Sequence, residues 1–344
     1  MGDFEQPTAM FSEAQEGPDV VERQFKANVN LITSLAGRLR ALSPRAVVTA
    51  ARGSSDNAAT YAKYLIETKL GILTSSAAPS TSSVYSAPAH LRDTLYIAMS
   101  QSGKSPDILA AVDSAKRAGA FTIGLVNVID SPLAERVDEC IPLHAGPERS
   151  VAATKSYLAT TAAILQLVAA WSEDDAINEA LSRFPALLED AWALDWSAAV
   201  EKLKAARDLY VVGRGIGFGG AQEAALKLKE TCGLHAEAFS AAEVQHGPMA
   251  LAQNGFPVFV MSQADETQPG IRELVNTLVD NRAAVILSGF EDPRTTNLAS
   301  IETHPALQPI LFLQSFYRLA EAVSRARGMN PDSPPHLNKI TETL

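Results

Sequence analysis

The chain has 344 residues, 47% hydrophobic and 6% aromatic, a globular composition long enough for two domain-sized cores. With 29 Lys+Arg against 39 Asp+Glu, a net charge of −10 and no basic cluster, the charge argues against a polyanion-binding surface as the main business, and no nucleic-acid partner is expected. Cys140 and Cys232 have no second Cys or paired His at ligand spacing, so neither a zinc site nor a disulfide framework is suggested, and residues 1–19 lack an export signal. Both features suggest a cytoplasmic protein.

In chain order, residues 1–40 read as an N-terminal segment with a leading helix. A first domain over 41–172 follows, with strands near 46–51, 95–99, 121–126 and 139–143 and helices near 56–69, 106–118 and 151–170. The last of these helices is the most apolar stretch. Lys155, Ser156, Thr160, Thr161 and Gln166 interrupt it, so it reads as a buried helix and not a membrane span. Connecting helices over 173–207 lead to a second domain over 208–330, with strands near 208–213, 256–261, 283–287 and 300–303, and then to a tail over 331–344.

The two halves repeat one plan. Arg52-Gly53 and Arg214-Gly215 each follow an apolar run, offset by 162 positions (214 less 52), and the same offset relates Met99-Ser100-Gln101 to Met261-Ser262-Gln263. Short apolar runs alternating with longer helical segments predict an α/β protein of two related parallel sheets, each flanked by helices in a three-layer, flavodoxin-like arrangement.

Ligands of such sheets bind at the carboxyl ends of strands. There the first half offers Arg52-Gly53-Ser54-Ser55-Asp56-Asn57, the loop Ser100-Gln101-Ser102-Gly103-Lys104-Ser105, and residues 146–154. Hydroxyls and free N–H groups at helix starts suit a phosphate, although Ser105-Pro106 also reads as an ordinary helix cap. The second half has Ser262-Gln263-Ala264-Asp265-Glu266 in the equivalent place, two carboxylates replacing a hydroxyl, so only the first half is expected to bind phosphate. Gly215, Gly217 and Gly220 match a dinucleotide-binding spacing, but the next apolar run begins only at Phe256, and the glycines read as a tight turn for close packing.

The helix that follows places Glu223, Lys227 and Glu230 on one face. On an exposed helix that pattern is a solvated stripe. Here His235, Glu237, Glu243 and His246 follow closely, which favours acid/base chemistry, and no metal-ligand spacing is present.

Together the motifs Ser100-Gln101-Ser102-Gly103, Gly146-Pro147-Glu148, Val151-Ala152-Ala153-Thr154-Lys155, Ala225-Leu226-Lys227-Leu228-Lys229-Glu230, His235-Ala236-Glu237-Ala238 and Glu243-Val244-Gln245-His246-Gly247-Pro248 resemble the sugar isomerase (SIS) domain family, closely the isomerase half of the glucosamine-6-phosphate synthases. The resemblance implies two tandem SIS domains in a homodimer. A sugar phosphate would be bound through Ser100, Gln101, Ser102 and Ser105, with Ser54, Ser55 and Val151 assisting. Glu230 would move a proton between sugar C1 and C2, and His246, from the neighbouring subunit, would open the ring. Lys227 and Lys339 would line the site, the latter from a tail folded over the sugar. Neither metal nor organic cofactor is implied, and no membrane partner. Ala153 stands where the synthases usually carry Ser, and Asn338 replaces a small residue, which bears on substrate choice. No glutaminase domain precedes the SIS region, so the expected activity is an amino-sugar-phosphate deaminase/isomerase, first of all on glucosamine 6-phosphate. A fructosamine-6-phosphate deglycase, a plain aldose–ketose phosphate isomerase and a sugar-phosphate-binding regulator are the alternatives.

Overall fold

The computed structural model describes residues 6–339; the ends of the expected N-terminal and tail segments, 1–5 and 340–344, lie outside the described residues. The chain forms two compact units. The first-sheet unit comprises Asp19–Glu148, Ser156–Leu181 and the tail from Asn338. The second-sheet unit comprises the chain up to Pro18, Arg149–Lys155 and Ser182–Leu337.

The first sheet contains β1 (Ala46–Ala50), β2 (Thr74–Ser76), β3 (Thr94–Ser100), β4 (Phe121–Val126) and β5 (Glu139–Pro142), all parallel, in the order β2-β1-β3-β4-β5. The second contains β6 (Asp208–Gly213), β7 (His235–Ser240), β8 (Pro257–Met261), β9 (Ala284–Ser288) and β10 (Thr296–Leu298), also parallel, in the order β10-β9-β8-β6-β7. Seven expected strands are found close to their expected positions, as β1, β3, β4, β5, β6, β8 and β9.

Parallel strands covered on both faces must be apolar throughout, and β3 is buried at every position. The helix Gln268–Asp280 shows how the cover is made. Ile271, Leu274, Val275 and Leu278 recur at i, i+3, i+4 and i+7 and are all buried among Val212, Val258, Val260 and Leu287 of the second sheet. Each such side chain contributes about 1.5–3 kcal/mol when fully buried. In the first-sheet unit, Ile108, Ala111, Val112 and Ala115 of Pro106–Arg117 meet Ala98 and Val126 in the same way.

Three local differences from the expectation have physical causes. The strand expected at 300–303 is irregular chain, and the edge strand is β10 instead. The carbonyls that would extend the ladder are taken by side chains, Ala299 O by Trp196 Nε1 at 2.8 Å and Ile301 O by Gln308 Nε2 at 3.2 Å. The outer strands β2 and β7 were not foreseen because edge strands carry polar residues, here Thr74-Ser75-Ser76 and the exposed His235 and Glu237. The helix expected from 151 begins at Lys155, because the chain before it is held in an irregular path by Glu13, whose carboxylate accepts the N–H of Arg149 (2.5 Å) and of Ser150 (3.1 Å). Among the described residues no helix is long and apolar enough to cross a membrane.

In the second-sheet unit the helix Ala9–Gln15 is fixed at its start by two anchors. The Thr8 hydroxyl accepts the Phe11 N–H at 3.1 Å, and the two carboxylate oxygens of Asp332 accept the N–H groups of Ala9 and Met10 at 2.7 Å each. Hydrogen bonds to a charged group contribute about 1.5–3 kcal/mol each, less where solvent reaches them. Asp332→Ala is therefore expected to lower the thermal midpoint by several degrees, read by circular dichroism, and an unchanged midpoint refutes this anchoring.

Candidate active site

In the first-sheet unit the strand order reverses between β1 and β3, since the chain passes from β1 to β2 on one side and then to β3 on the other. Loops leaving such neighbours diverge and open a crevice at the strands' carboxyl ends. Ser100, Gln101, Ser102 and Ser105 form the loop on the β3 side. Gly103 allows its tight path. Its φ of +64° is the left-handed region, and a Cβ there would collide with the Ser131 side chain. The Ser100 hydroxyl accepts the Gly103 N–H at 3.0 Å, and Gly103 O accepts the Leu133 N–H at 3.1 Å, so the loop is braced from both sides. Ser105 takes the N-cap position before Pro106, yet its side chain makes no cap hydrogen bond, so the hydroxyl is not consumed by the helix.

On the β1 side, Ser54 and Ser55 occupy the first turn of the helix Ser54–Leu70, both half-buried. Just before them, Arg52 Nε donates to Asp107 Oδ2 at 2.7 Å, tying the chain after β1 to the helix that follows the β3 loop. Asp107 is fully buried. In the sequence Arg52 is marked only as an arginine directly at a strand's carboxyl end.

Lys339 is placed by Glu148 of the same unit. The buried Glu148 carboxylate accepts the Lys339 ammonium at 2.8 Å, the Ser156 hydroxyl at 2.7 Å and the Ser156 N–H at 3.1 Å. Glu148 is thus a positioning residue that the sequence showed only as part of a motif.

In the second-sheet unit, the glycine-rich turn serves packing. A side chain on Gly217 would occupy the space held by the Gln263 amide oxygen, and Gly213 lies against the Gly217 carbonyl. The turn launches the helix Phe218–Cys232, which carries Glu223, Lys227 and Glu230. Lys227 is fully buried, with Glu230 Oε2 at 2.5 Å and Glu223 Oε1 at 3.4 Å from its Nζ. Tyr317, from the helix Gln308–Ala326, donates its hydroxyl to Glu223 at 3.3 Å. Burial alone lowers an ammonium's pKa, but the two carboxylates outweigh it, so Lys227 is held above the ordinary lysine range and stays charged. Glu230 keeps 22% of its side-chain surface, whereas Glu223 keeps none. The arrangement presents one carboxylate outward on a buried cation.

His246 lies in the turn after the short helix Ala241–Val244, exposed, its N–H on Glu243 O at 3.0 Å. Val151 is half-buried in the irregular segment before Lys155. The structure thus joins Lys227 to Glu230, gathers the four loop residues, and pairs Lys339 with Glu148. Among the described residues no group of three or more His, Cys, Asp or Glu is arranged to hold a metal.

The SIS domain profile matches residues 42–170 and 202–301. The chain belongs to the SIS domain family. It is 32% identical over 339 residues to the glutamine–fructose-6-phosphate aminotransferase (isomerizing) of Aquifex aeolicus, covering 96% of this chain and 57% of that protein. The enzyme of the same name from Thermus thermophilus is 33% identical over 365 residues, with 97% and 58% covered. This SIS chain therefore spans little more than half the length of those relatives. Among solved structures, a candidate phosphosugar isomerase from Silicibacter pomeroyi superposes with a TM-score of 0.91 at 39% identity, covering 95% of this chain and 100% of that one. The two parallel sheets are accordingly two tandem SIS domains.

Lys227→Met leaves the fully buried Glu223 without its cation, which is expected to cost about 3–5 kcal/mol, while Glu230→Gln keeps the Glu223–Lys227 pair and costs far less. The sign with pH follows from the raised pKa. Lys227's contribution is fully present below the ordinary value of 10.5 and is lost as pH rises through the folded-state value. Urea unfolding at pH 7 and at alkaline pH measures both effects; equal losses in the two variants at pH 7 contradict the assignment.

Proposed function

We propose that this SIS chain is an amino-sugar-phosphate deaminase/isomerase, with glucosamine 6-phosphate the first substrate. The observation that carries the reading is Glu230, a partly exposed carboxylate seated on a buried lysine ammonium. A base so placed takes up a carbon-bound proton and, being partly exposed, can exchange it with solvent before returning it. The aminotransferase relatives, named for isomerisation as well as nitrogen transfer, support chemistry at C1 and C2 of a hexose phosphate.

His246, contributed by a second subunit of a homodimer, assists ring opening to the amino aldose; its exposure on its own chain suits that role. Glu230 removes the C2 proton, the released electron pair forms the C1=C2 bond, and the C1 oxygen takes up a proton. The proton on Glu230 returns to C1 as the nitrogen lone pair forms a C2=N bond. Water then adds to C2 and ammonium leaves, giving the ketose 6-phosphate. Ser100, Gln101, Ser102 and Ser105, with Ser54 and Ser55, hold the phosphate, and Val151 and Lys339 contact the sugar. Lys227 holds Glu230 in place through their ion pair. The reading takes residues 41–172 and 208–330 as the two SIS domains and the cytoplasm as the site of action.

Purified protein incubated with glucosamine 6-phosphate without glutamine is expected to release ammonium and fructose 6-phosphate in equal amounts. Glu230→Gln should lower kcat by about 10²-fold or more, as expected for loss of a general base, while retaining sugar-phosphate binding. Ser102→Ala should act mainly on KM. Ketose formation without ammonium assigns a plain isomerase, and activity confined to fructosamine adducts assigns a deglycase. Wild-type turnover in Glu230→Gln removes that residue from the mechanism.

A further inference from the structure

We propose that Arg52 is the charged ligand of the substrate's phosphoryl group, a role that rests on the sugar-phosphate reading above. Serine hydroxyls and loop N–H groups supply dipoles to a phosphate but no formal charge. Arg52 stands where a charge is needed. It follows β1 directly, Asp107 lies in the first turn after the β3 loop, and their 2.7 Å bond crosses the switch point between these strands. Asp107 is fully buried, while Arg52 keeps 50% of its side-chain surface. Only Nε is engaged, and among the described residues the terminal guanidinium nitrogens hold no hydrogen bond. A guanidinium fixed through Nε presents its two terminal amines as a fork, the geometry that matches two phosphoryl oxygens. Asp56, in the first turn of the next helix, also interacts electrostatically with Arg52, and its own side-chain hydrogen bond is with Ser76.

The second sheet shows the same crevice closed. Arg214, the repeat equivalent of Arg52, has its guanidinium packed against Gly270. Gln263, fully buried, crosses the β6/β8 switch point instead, its amide donating to Arg214 O at 2.8 Å, Asp265 Oδ2 at 2.9 Å and Thr267 Oγ1 at 3.0 Å. There the carboxylate of Asp265 fills the anion's place with hydrogen bonds from the Thr267 N–H (2.9 Å) and hydroxyl (2.5 Å). In the first sheet the corresponding cation is left outward.

The test is calorimetric binding of inorganic phosphate and of fructose 6-phosphate to the full chain. Arg52→Gln alone strands a buried carboxylate, so the decisive variant is Arg52→Gln/Asp107→Asn, which removes both charges and leaves net charge unchanged. Its Kd for inorganic phosphate is expected to rise about tenfold or more, as for loss of a charge-assisted bidentate contact. Asp107→Asn alone, which keeps the guanidinium, is expected to bind at least as tightly as about one third of wild type. A double variant that binds phosphate like wild type, while Ser102→Ala does not, overturns the role of Arg52 and leaves the sugar-phosphate reading standing. Wild-type protein that binds neither probe overturns both.

Discussion

A parallel sheet must send its chain back over one face or the other, and where the direction of travel changes, two neighbouring strand ends are left with diverging loops. This chain meets that constraint twice, between β1 and β3 and between β6 and β8. The apolar cores only need to make the sheets; the crevices follow from strand order. What differs is the filling. At the first switch point Gly103 shapes the serine loop and Arg52 is tied to Asp107, whereas at the second Gln263 is bonded to Arg214 O and Asp265. One repeated plan thereby yields two differently filled crevices.

The acid/base chemistry obeys a second rule, that a carboxylate buried in a helix-packed interior needs a cation and a full set of donors. Glu223 has Lys227 and Tyr317; Glu148 has Lys339 and Ser156; Asp107 has Arg52. In each case the buried acid fixes the position of a cation. Lys227 lies against Glu230, Lys339 comes from the tail, and Arg52 borders the serine loop. The cost of burying these acids is offset by the exact place it gives their partners, which a surface ion pair worth a fraction of a kcal/mol would not supply.

Much of this was legible in the residues. The 162-position repeat and the Val/Ile/Leu runs located seven of the ten strands, because buried parallel strands must be continuously apolar. The edge strands β2 and β7 escaped because Thr74-Ser75-Ser76 and His235-Ala236-Glu237 carry no such run, and the ladder at 300–303 fails for want of free carbonyls, which no local pattern reveals. The spacing of Glu223, Lys227 and Glu230 showed a shared face but not its burial. That depends on the helix Gln308–Ala326, almost a hundred residues on, packing Tyr317 onto Glu223. Long-range pairings such as Glu148 with Lys339 are likewise invisible until the chain is folded.

The central claim is that Glu230 carries a proton between neighbouring carbons of a bound sugar phosphate. Solvent-deuterium incorporation tests it without presupposing the fate of the nitrogen. With glucosamine 6-phosphate in deuterium oxide, followed by nuclear magnetic resonance, wild-type protein is predicted to place deuterium at C2 of recovered substrate or C1 of product, and Glu230→Gln to place none while still binding the sugar phosphate. Exchange that persists in Glu230→Gln at the wild-type rate contradicts the account.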